Sequence, residues 1–178
     1  DTGHGWSAAF FGLPNVKVIC PTAPSIPIDV NNGYVMPGWF DVYDFPIQNI
    51  DEVREDGPGI LHSVKLVEDV VAKERETNPN IPIFVGGFSQ GGAIALTFAM
   101  RSEIKVSGLI ALSCWLPLRQ DYPDKESPAN KDTPIFMGHG TNDQVVFESF
   151  GRLSFDYLKK LGRSVQYHSV PGMGHPAE

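Results

Sequence analysis

The sequence predicts an α/β protein with a mostly parallel sheet and helices on both faces. Its short, nearly continuous apolar segments are typical of strands that are covered on both sides. Segments with helical periodicity lie between them, and this alternation favours parallel strands joined by right-handed crossovers. Neither a linker nor an internal repeat divides the 178 residues. We therefore expect a single domain over residues 1–178.

Five segments are predicted to form strands. They are Val16–Cys20, Ile81–Gly86, Val106–Ser113, Pro134–Gly138 and Ser164–Val170. The first four are short and apolar along most of their length, as buried parallel strands are.

Apolar residues at helical spacing predict three helices. The first stripe consists of Ile60, Val64, Val67 and Val71. The segment Ala93–Met100 is apolar on most sides, which indicates a buried helix. The third stripe consists of Phe150, Leu153, Tyr157 and Leu161. We expect Gly162 to end this last helix, because glycine is the preferred residue after a helix C-terminus.

Charge and cysteine content limit the partners and the compartment. The formal net charge of −7 argues against nucleic acid and anionic membranes, which both favour basic surfaces. The sequence contains no apolar run of the roughly 18 to 20 residues that a transmembrane helix needs. Cys20 and Cys114 each close an apolar segment, which favours buried, reduced thiols and hence a cytoplasmic location.

The stretch VGGFSQGGA, residues 85–93, crowds four glycines around one serine. Residues 87–91 match G-x-S-x-G, the strand-turn-helix motif of an exposed nucleophilic serine. We expect Ser89 to have a strained backbone, and Gly87 and Gly91 to remove the collisions of so sharp a turn. A phosphate-binding loop would need a lysine followed by serine or threonine directly after its last glycine. Here Ala93 follows Gly92, so the stretch does not match that motif. A purely structural glycine-rich turn remains an alternative.

A serine nucleophile on this architecture is followed in the chain by an acid and then by a histidine. Asp143 follows the strand predicted at Pro134–Gly138, and His175 lies in the loop after the last predicted strand. His139 precedes that acid, and His168 lies inside a strand, so neither fits the base. The pattern therefore predicts Ser89, Asp143 and His175 as the catalytic residues.

Seven motifs along essentially the whole chain resemble one family. They are DTGHGW, ICPTAP, MPGWFD, GGFSQGGA, ALSCWLPL, HGTNDQVV and GMGH. Together they resemble the acyl-protein thioesterase and lysophospholipase family of α/β-hydrolases, to which certain bacterial carboxylesterases are similar. The combination of GFSQGG with a later SCWLP is distinctive, whereas G-x-S-x-G alone is not.

The resemblance implies an α/β-hydrolase fold in which Ser89 is the nucleophile, His175 the base and Asp143 the orienting acid. It also implies that the backbone N–H of Gln90 contributes to the oxyanion hole, and that a loop ending at Asp1 supplies the second donor. Because that family has strands before this loop and a helix after the histidine, we expect the chain to be a fragment without them. A hydrolase missing one oxyanion donor is expected to be slow.

Two irregular stretches, residues 21–50 and 116–133, are expected to shape the binding site. From these stretches and the residues beside them, Trp39, Trp115 and Leu116 are predicted to line an apolar slot for an acyl chain, although each could equally pack in the core. The resemblance suggests S-acylated proteins or lysophospholipids as substrates. We expect no metal or other cofactor, and a weak homodimer is a further hypothesis. The competing function is a binding module of the same fold without catalysis.

Overall fold

The structure is a computed structural model that describes residues 2–10, 12–44, 46 and 49–175. Its first elements are short: helix α1 (Gly3–Ser7) and strands β1 (Ser25–Ile28) and β2 (Tyr34–Pro37). The two strands pair antiparallel, and Asn32 and Gly33 reverse the chain with φ values of 56° and 73°. The sequence analysis treated this hairpin as irregular, although an Asn-Gly pair near two short apolar segments is a known hairpin signal.

Four parallel strands form the main sheet. In order across the sheet they are β3 (Phe84–Phe88), β4 (Gly108–Leu112), β5 (Ile135–Gly140) and β6 (Val165–Val170). Each strand pairs in parallel with its neighbour. Three longer helices accompany the strands: α2 (Gly57–Thr77) precedes β3, α3 (Gln90–Arg101) follows it, and α4 (Glu148–Lys160) connects β5 to β6. The predicted α/β fold class with a parallel sheet is confirmed.

The predicted strand at Val16–Cys20 is wrong. These residues form no strand, and within the described ranges none of their backbone groups bonds to another segment. Val16 is 57% exposed. Strand preference mainly reflects packing within a paired sheet, so an apolar segment without a neighbouring strand has nothing to pair with. The other four predicted strands are present, with ends that shift by at most three residues.

The helical predictions are confirmed for α2 and α3 and need one correction in α4. Helix α3 is buried from Gly92 to Met100, as its apolar sequence indicated. In α4 the buried residues are Phe150, Gly151, Ser154 and Leu158. Leu153 was expected to face the core but is 45% exposed, because the buried stripe advances by four residues rather than three. Gly162 follows the helix with φ of 77°, as predicted.

The two faces of the main sheet are covered unequally. Side chains alternate along each strand, and Val85, Leu109 and Met137 are buried on the face where α3 and α4 pack. On the opposite face Phe84 is 62% and Phe136 42% exposed. Among the described helices, α1 reaches that second face at the carboxyl end of β3. Helices therefore lie on both sides of the sheet, as expected, but one side carries most of the core.

Of the helices in the described ranges, none combines the length and the apolar character that crossing a bilayer requires.

Candidate active site

Ser89 connects β3 to α3 in a backbone conformation that few residues adopt. Its φ of 54° and ψ of −118° lie outside the favourable regions for a residue with a side chain, which costs on the order of 1–3 kcal/mol. Two hydrogen bonds of 2.9 and 3.0 Å hold it there: the Ser89 N–H donates to the carbonyl of Leu112, and its carbonyl accepts from the N–H of Ala93. The strained turn predicted for the motif is present.

Two glycines make this turn sterically feasible. A methyl group on Gly87 would lie 2.1 Å from the carbonyl carbon of Gly91, so the expectation for Gly87 is confirmed. A methyl group on Gly91 would meet nothing closer than Trp39 Nε1 at 3.8 Å among the described atoms, so the collision expected at Gly91 is absent. The second essential glycine is instead Gly92, whose added methyl group would lie 2.7 Å from Cys114 Sγ.

His175 lies within hydrogen-bond distance of both predicted partners. Its Nε2 is 3.1 Å from Ser89 Oγ, and its Nδ1 is 2.7 Å from Asp143 Oδ2. The side chain is 16% exposed, because it lies in the loop after β6 rather than inside the sheet. The three residues predicted from the sequence lie together at the carboxyl edge of the sheet, although Ser89 and His175 are 86 positions apart in the chain.

Asp143 is held in the turn that follows β5. Its Oδ1 accepts hydrogen bonds from the backbone N–H groups of Val145 and Val146, at 2.8 and 2.9 Å. The carboxylate is fully buried. These bonds direct Oδ2 toward His175, which places the carboxylate where it can orient an imidazole and stabilise its charged form.

Backbone contacts fix the loop of His175 against the turn of Asp143. The Asn142 N–H donates to the carbonyl of Met173 at 3.0 Å, and the Gly172 N–H donates to Thr141 Oγ1 at 2.9 Å. A methyl group on Gly140 would lie 2.3 Å from Met173 O. The close approach of the two segments therefore requires a residue without a side chain at Gly140.

An aromatic contact supports the histidine from the other side. The ring of Phe88 lies 4.8 Å from the ring of His175, and Trp6 of α1 lies 5.6 Å from Phe88. The sequence analysis missed this arrangement. Phe88 occupies the variable position beside the serine in the motif, but nothing in the sequence pairs it with a residue 87 positions later.

The side chain of Gln90 also has a role that the sequence did not reveal. Its Oε1 accepts the Trp39 N–H at 3.1 Å, and its Nε2 donates to the Phe40 carbonyl at 2.9 Å. The loop after β2 is thereby fixed beside Ser89. The backbone N–H of Gln90, the predicted oxyanion donor, belongs to the first residue of α3 and has no acceptor within the helix.

The three residues predicted to line an acyl slot differ in burial. Trp39 is half-buried beside the first turn of α3. Trp115 and Leu116 are only 5% and 1% exposed, and Trp115 packs edge-on against Phe40 with ring centres 6.1 Å apart. In this structure Trp115 and Leu116 belong to the core beneath the loop that carries Trp39.

Burial raises the pKa of two ionisable groups near this core. Burial raises the pKa of Glu55, although its carboxylate accepts a 3.0 Å hydrogen bond from the Leu118 N–H. Burial also raises the pKa of the Cys114 thiol, so Cys114 is a packing residue rather than a second nucleophile. Within the described ranges, His, Cys, Asp and Glu side chains form no group of three or more suited to a metal ion.

The chain is similar to known proteins along essentially its whole length. The profile of the phospholipase/carboxylesterase family matches residues 1–178. The acyl-protein thioesterase 1 of Neurospora crassa is 42% identical over 189 residues, covering 99% of this chain and 76% of that protein. The acyl-protein thioesterase 1 of Debaryomyces hansenii is 37% identical over 190 residues, covering 99% of this chain and 80% of that protein.

Solved structures show the same fold. The acyl-protein thioesterase 2 of Zea mays is 31% identical with a TM-score of 0.89, covering 100% of this chain and 83% of that chain. The Arabidopsis thaliana protein SOBER1 is 30% identical with a TM-score of 0.91, covering 100% of this chain and 87% of that chain. The resemblance found in the sequence and the α/β-hydrolase fold class are thus confirmed: the chain belongs to the phospholipase/carboxylesterase family.

Proposed function

We propose that this chain is a serine hydrolase of acyl thioesters and esters, in which Ser89, His175 and Asp143 form the catalytic triad. The observation that carries the proposal is the continuous line of hydrogen bonds from the Ser89 hydroxyl to His175 and on to Asp143, at 3.1 and 2.7 Å. A nucleophile bonded to a base that is itself oriented by an acid is the arrangement of this chemistry on many folds.

Each residue has a defined step. Ser89 Oγ attacks the acyl carbonyl carbon while His175 Nε2 takes the hydroxyl proton, and Asp143 stabilises the resulting imidazolium. The carbonyl oxygen becomes negative and accepts a hydrogen bond from the backbone N–H of Gln90. His175 then gives its proton to the leaving thiol or alcohol, which leaves an acyl group on Ser89. Water attacks this acyl-enzyme in the same way and releases the carboxylic acid.

We propose that the substrates are S-acylated proteins. Two observations support this choice: the relatives named above are acyl-protein thioesterases, and an aromatic side chain stands beside the nucleophile. Trp39, half-buried near the first turn of α3, is the residue proposed to contact the acyl chain. Trp115 and Leu116 support it from the core beneath. Lysophospholipids are the alternative substrate, since their ester carries a similar apolar chain.

A substrate comparison tests the proposal. We expect kcat/KM for an S-palmitoyl peptide to exceed that for lysophosphatidylcholine by about tenfold or more, equivalent to about 1.4 kcal/mol of transition-state stabilisation. Ser89→Ala should remove both activities. Equal or greater activity on the lysophospholipid would overturn the choice of substrate without affecting the triad.

Chain-length dependence tests the role of Trp39. With p-nitrophenyl esters of increasing length, the wild-type chain should prefer medium and long acyl groups, because each buried methylene contributes about 0.8 kcal/mol. Trp39→Ala should flatten this preference while retaining turnover of the acetate. The exposed Tyr34→Ala on β2 is the matched control and should keep the preference. A flat dependence in the wild type would contradict the apolar slot.

We further propose that the protein works in a reducing compartment such as the cytoplasm. Both of its cysteines, Cys20 and Cys114, are free, and Cys114 is buried. A weak homodimer also stays a prediction, which analytical ultracentrifugation over a concentration series can test.

A further inference from the structure

A second histidine contacts the carboxylate that orients His175. His139 Nε2 lies 3.3 Å from Asp143 Oδ2, the same oxygen that is 2.7 Å from His175 Nδ1. Both the His139 ring and the Asp143 carboxylate are essentially inaccessible to solvent, at 1% and 0% exposed. His139 was excluded as the base because it precedes the acid in the chain.

The surroundings of His139 determine which ring nitrogen carries its proton. Nε2 lies 2.8 Å from the carbonyl oxygen of Val146. A carbonyl oxygen only accepts hydrogen bonds, so Nε2 must carry a hydrogen. The Nε2–H therefore donates to Val146 O, and the same nitrogen lies 3.3 Å from Asp143 Oδ2.

The ring is also confined from the side of α4. A methyl group on Gly151 would lie 2.4 Å from His139 Nδ1, so α4 approaches the ring closely only because residue 151 has no side chain. The ring is held between this helix and the turn that contains Asp143. Its Nε2–H is thus held in a fixed direction, bonded to Val146 O and beside the carboxylate.

We propose that His139 is a positioning residue whose Nε2–H, held 3.3 Å from Asp143 Oδ2 in a dry environment, stabilises the carboxylate charge and thereby limits how strongly the carboxylate attracts the His175 proton. The proposal rests on the catalytic roles given above. The partial positive charge of an N–H group next to a buried carboxylate stabilises the negative charge and reduces the attraction of the carboxylate for another proton. Loss of the His139 donor would leave Asp143 a stronger partner of the imidazolium, so His175 would hold its proton to higher pH.

Other ionisable groups facing His139 do not titrate in the pH range of this effect. A hydrogen bond from Ser169 lowers the pKa of Glu148, and Arg152 pairs with that carboxylate at 3.1 Å. Glu148 therefore stays charged across the acid limb of activity. Burial raises the pKa of Tyr167 above its ordinary value, so Tyr167 stays neutral there.

The test compares two substitutions that differ in the donor. His139→Met fills a similar volume without an N–H, whereas His139→Gln retains one. For H139M we expect the acid limb of the kcat/KM–pH profile to move to higher pH by about half a unit or more, with the profile of H139Q close to that of the wild type. The exposed His168→Gln on β6 is the control for loss of a histidine. A folded H139M with an unmoved profile would overturn the proposal, and so would an H139Q profile as displaced as that of H139M.

A measurement on the unmodified chain covers the case in which H139M does not fold. Long-range ¹H–¹⁵N NMR of the histidine rings at neutral pH should show the His139 proton on Nε2, with a resonance that changes in Asp143→Asn. A proton on Nδ1 alone would overturn the proposal. Failure of the proposed function is distinct, because the wild-type chain would then have no hydrolase activity to profile.

Discussion

The candidate site is assembled from two segments of opposite character: the end of β5 with the turn that follows it (residues 139–146, called the turn below) and the loop after β6 (residues 171–175). In the turn, the side chains of His139, Asp143 and Val146 are buried, and the carboxylate of Asp143 has four polar neighbours. The loop is half-buried or exposed along its length, and it presents His175 at its end. The acid is thus fixed in a dry environment, whereas the base lies where a substrate and water can reach it.

The difference shows how one site meets two requirements. An orienting carboxylate works best when its direction and solvation do not change, which burial and backbone N–H donors provide. A general base must contact the nucleophile and later the leaving group, so it needs an accessible position. Changes in the turn should therefore affect both stability and activity, while changes in the loop should affect activity alone.

The largest effect is expected from the loop. His175→Ala should lower kcat by about 10⁴-fold or more, because the serine loses its base. Because the side chain is 16% exposed, water can enter the space that it leaves and bond to Asp143 Oδ2, so the free energy of unfolding should change by less than about 1 kcal/mol. Steady-state kinetics and urea unfolding measure the two quantities. The exposed His168→Ala should alter neither, and a stability loss in His175→Ala comparable to that of a turn variant would contradict the comparison.

The second-largest effect on activity is expected from Asp143 in the turn. Asp143→Asn should lower kcat by about 10⁴-fold, since the amide can present an N–H to His175 and favour the wrong tautomer. Its oxygen can still accept the two backbone N–H groups, so stability should be largely retained. Asp143→Ala should lose similar activity and also about 1–3 kcal/mol for each buried N–H left unpaired. Exposed Asp156→Asn on α4 is the control, and equal unfolding free energies for the Asn and Ala variants would contradict the role of the turn.

Gly140, where the two segments touch, should give an intermediate effect. The methyl group of Gly140→Ala would collide with Met173 O and displace the loop. A displacement of about 1 Å at a catalytic group can cost about 10²-fold in rate. The expected result is a fall in kcat of that order with correct folding by circular dichroism. Activity equal to the wild type would mean that the loop position does not depend on this contact.

The smallest effect on activity should come from Thr141, the residue after Gly140. Thr141→Val removes the acceptor for the Gly172 N–H, but this hydrogen bond is exposed and water can replace it. We expect kcat to fall by about threefold or less and stability to change by less than about 1 kcal/mol. A loss as large as that of Gly140→Ala would show that this single bond, rather than the close backbone approach, holds the loop.

The sequence predicted the main elements of the site because each has a local signature. Ser89 lies in a motif with a defined turn, and Asp143 and His175 each follow a predicted strand in the expected chain order. Parallel strands bring their carboxyl ends to one edge of the sheet, so this local information was sufficient.

Other features depend on contacts between distant residues and had no local signature. The contact of the Phe88 ring with His175 and the bonds from Gln90 to the loop of Trp39 arise only when separate elements pack. The strand predicted at Val16–Cys20 failed for the same reason, since an apolar segment forms a strand only beside a partner. The sequence could not distinguish a core position from a binding position for Trp115, because both favour a large aromatic side chain.

Covalent labelling tests the central claim most directly. A fluorophosphonate probe reacts with a serine only when a neighbouring base activates it, and peptide mapping by mass spectrometry identifies the modified residue. We predict one adduct per chain, located on Ser89, absent in Ser89→Ala and formed far more slowly in His175→Ala. An adduct elsewhere, no adduct in the folded wild-type chain, or an unchanged rate in His175→Ala would contradict the proposed serine hydrolase and favour a binding protein of the same fold.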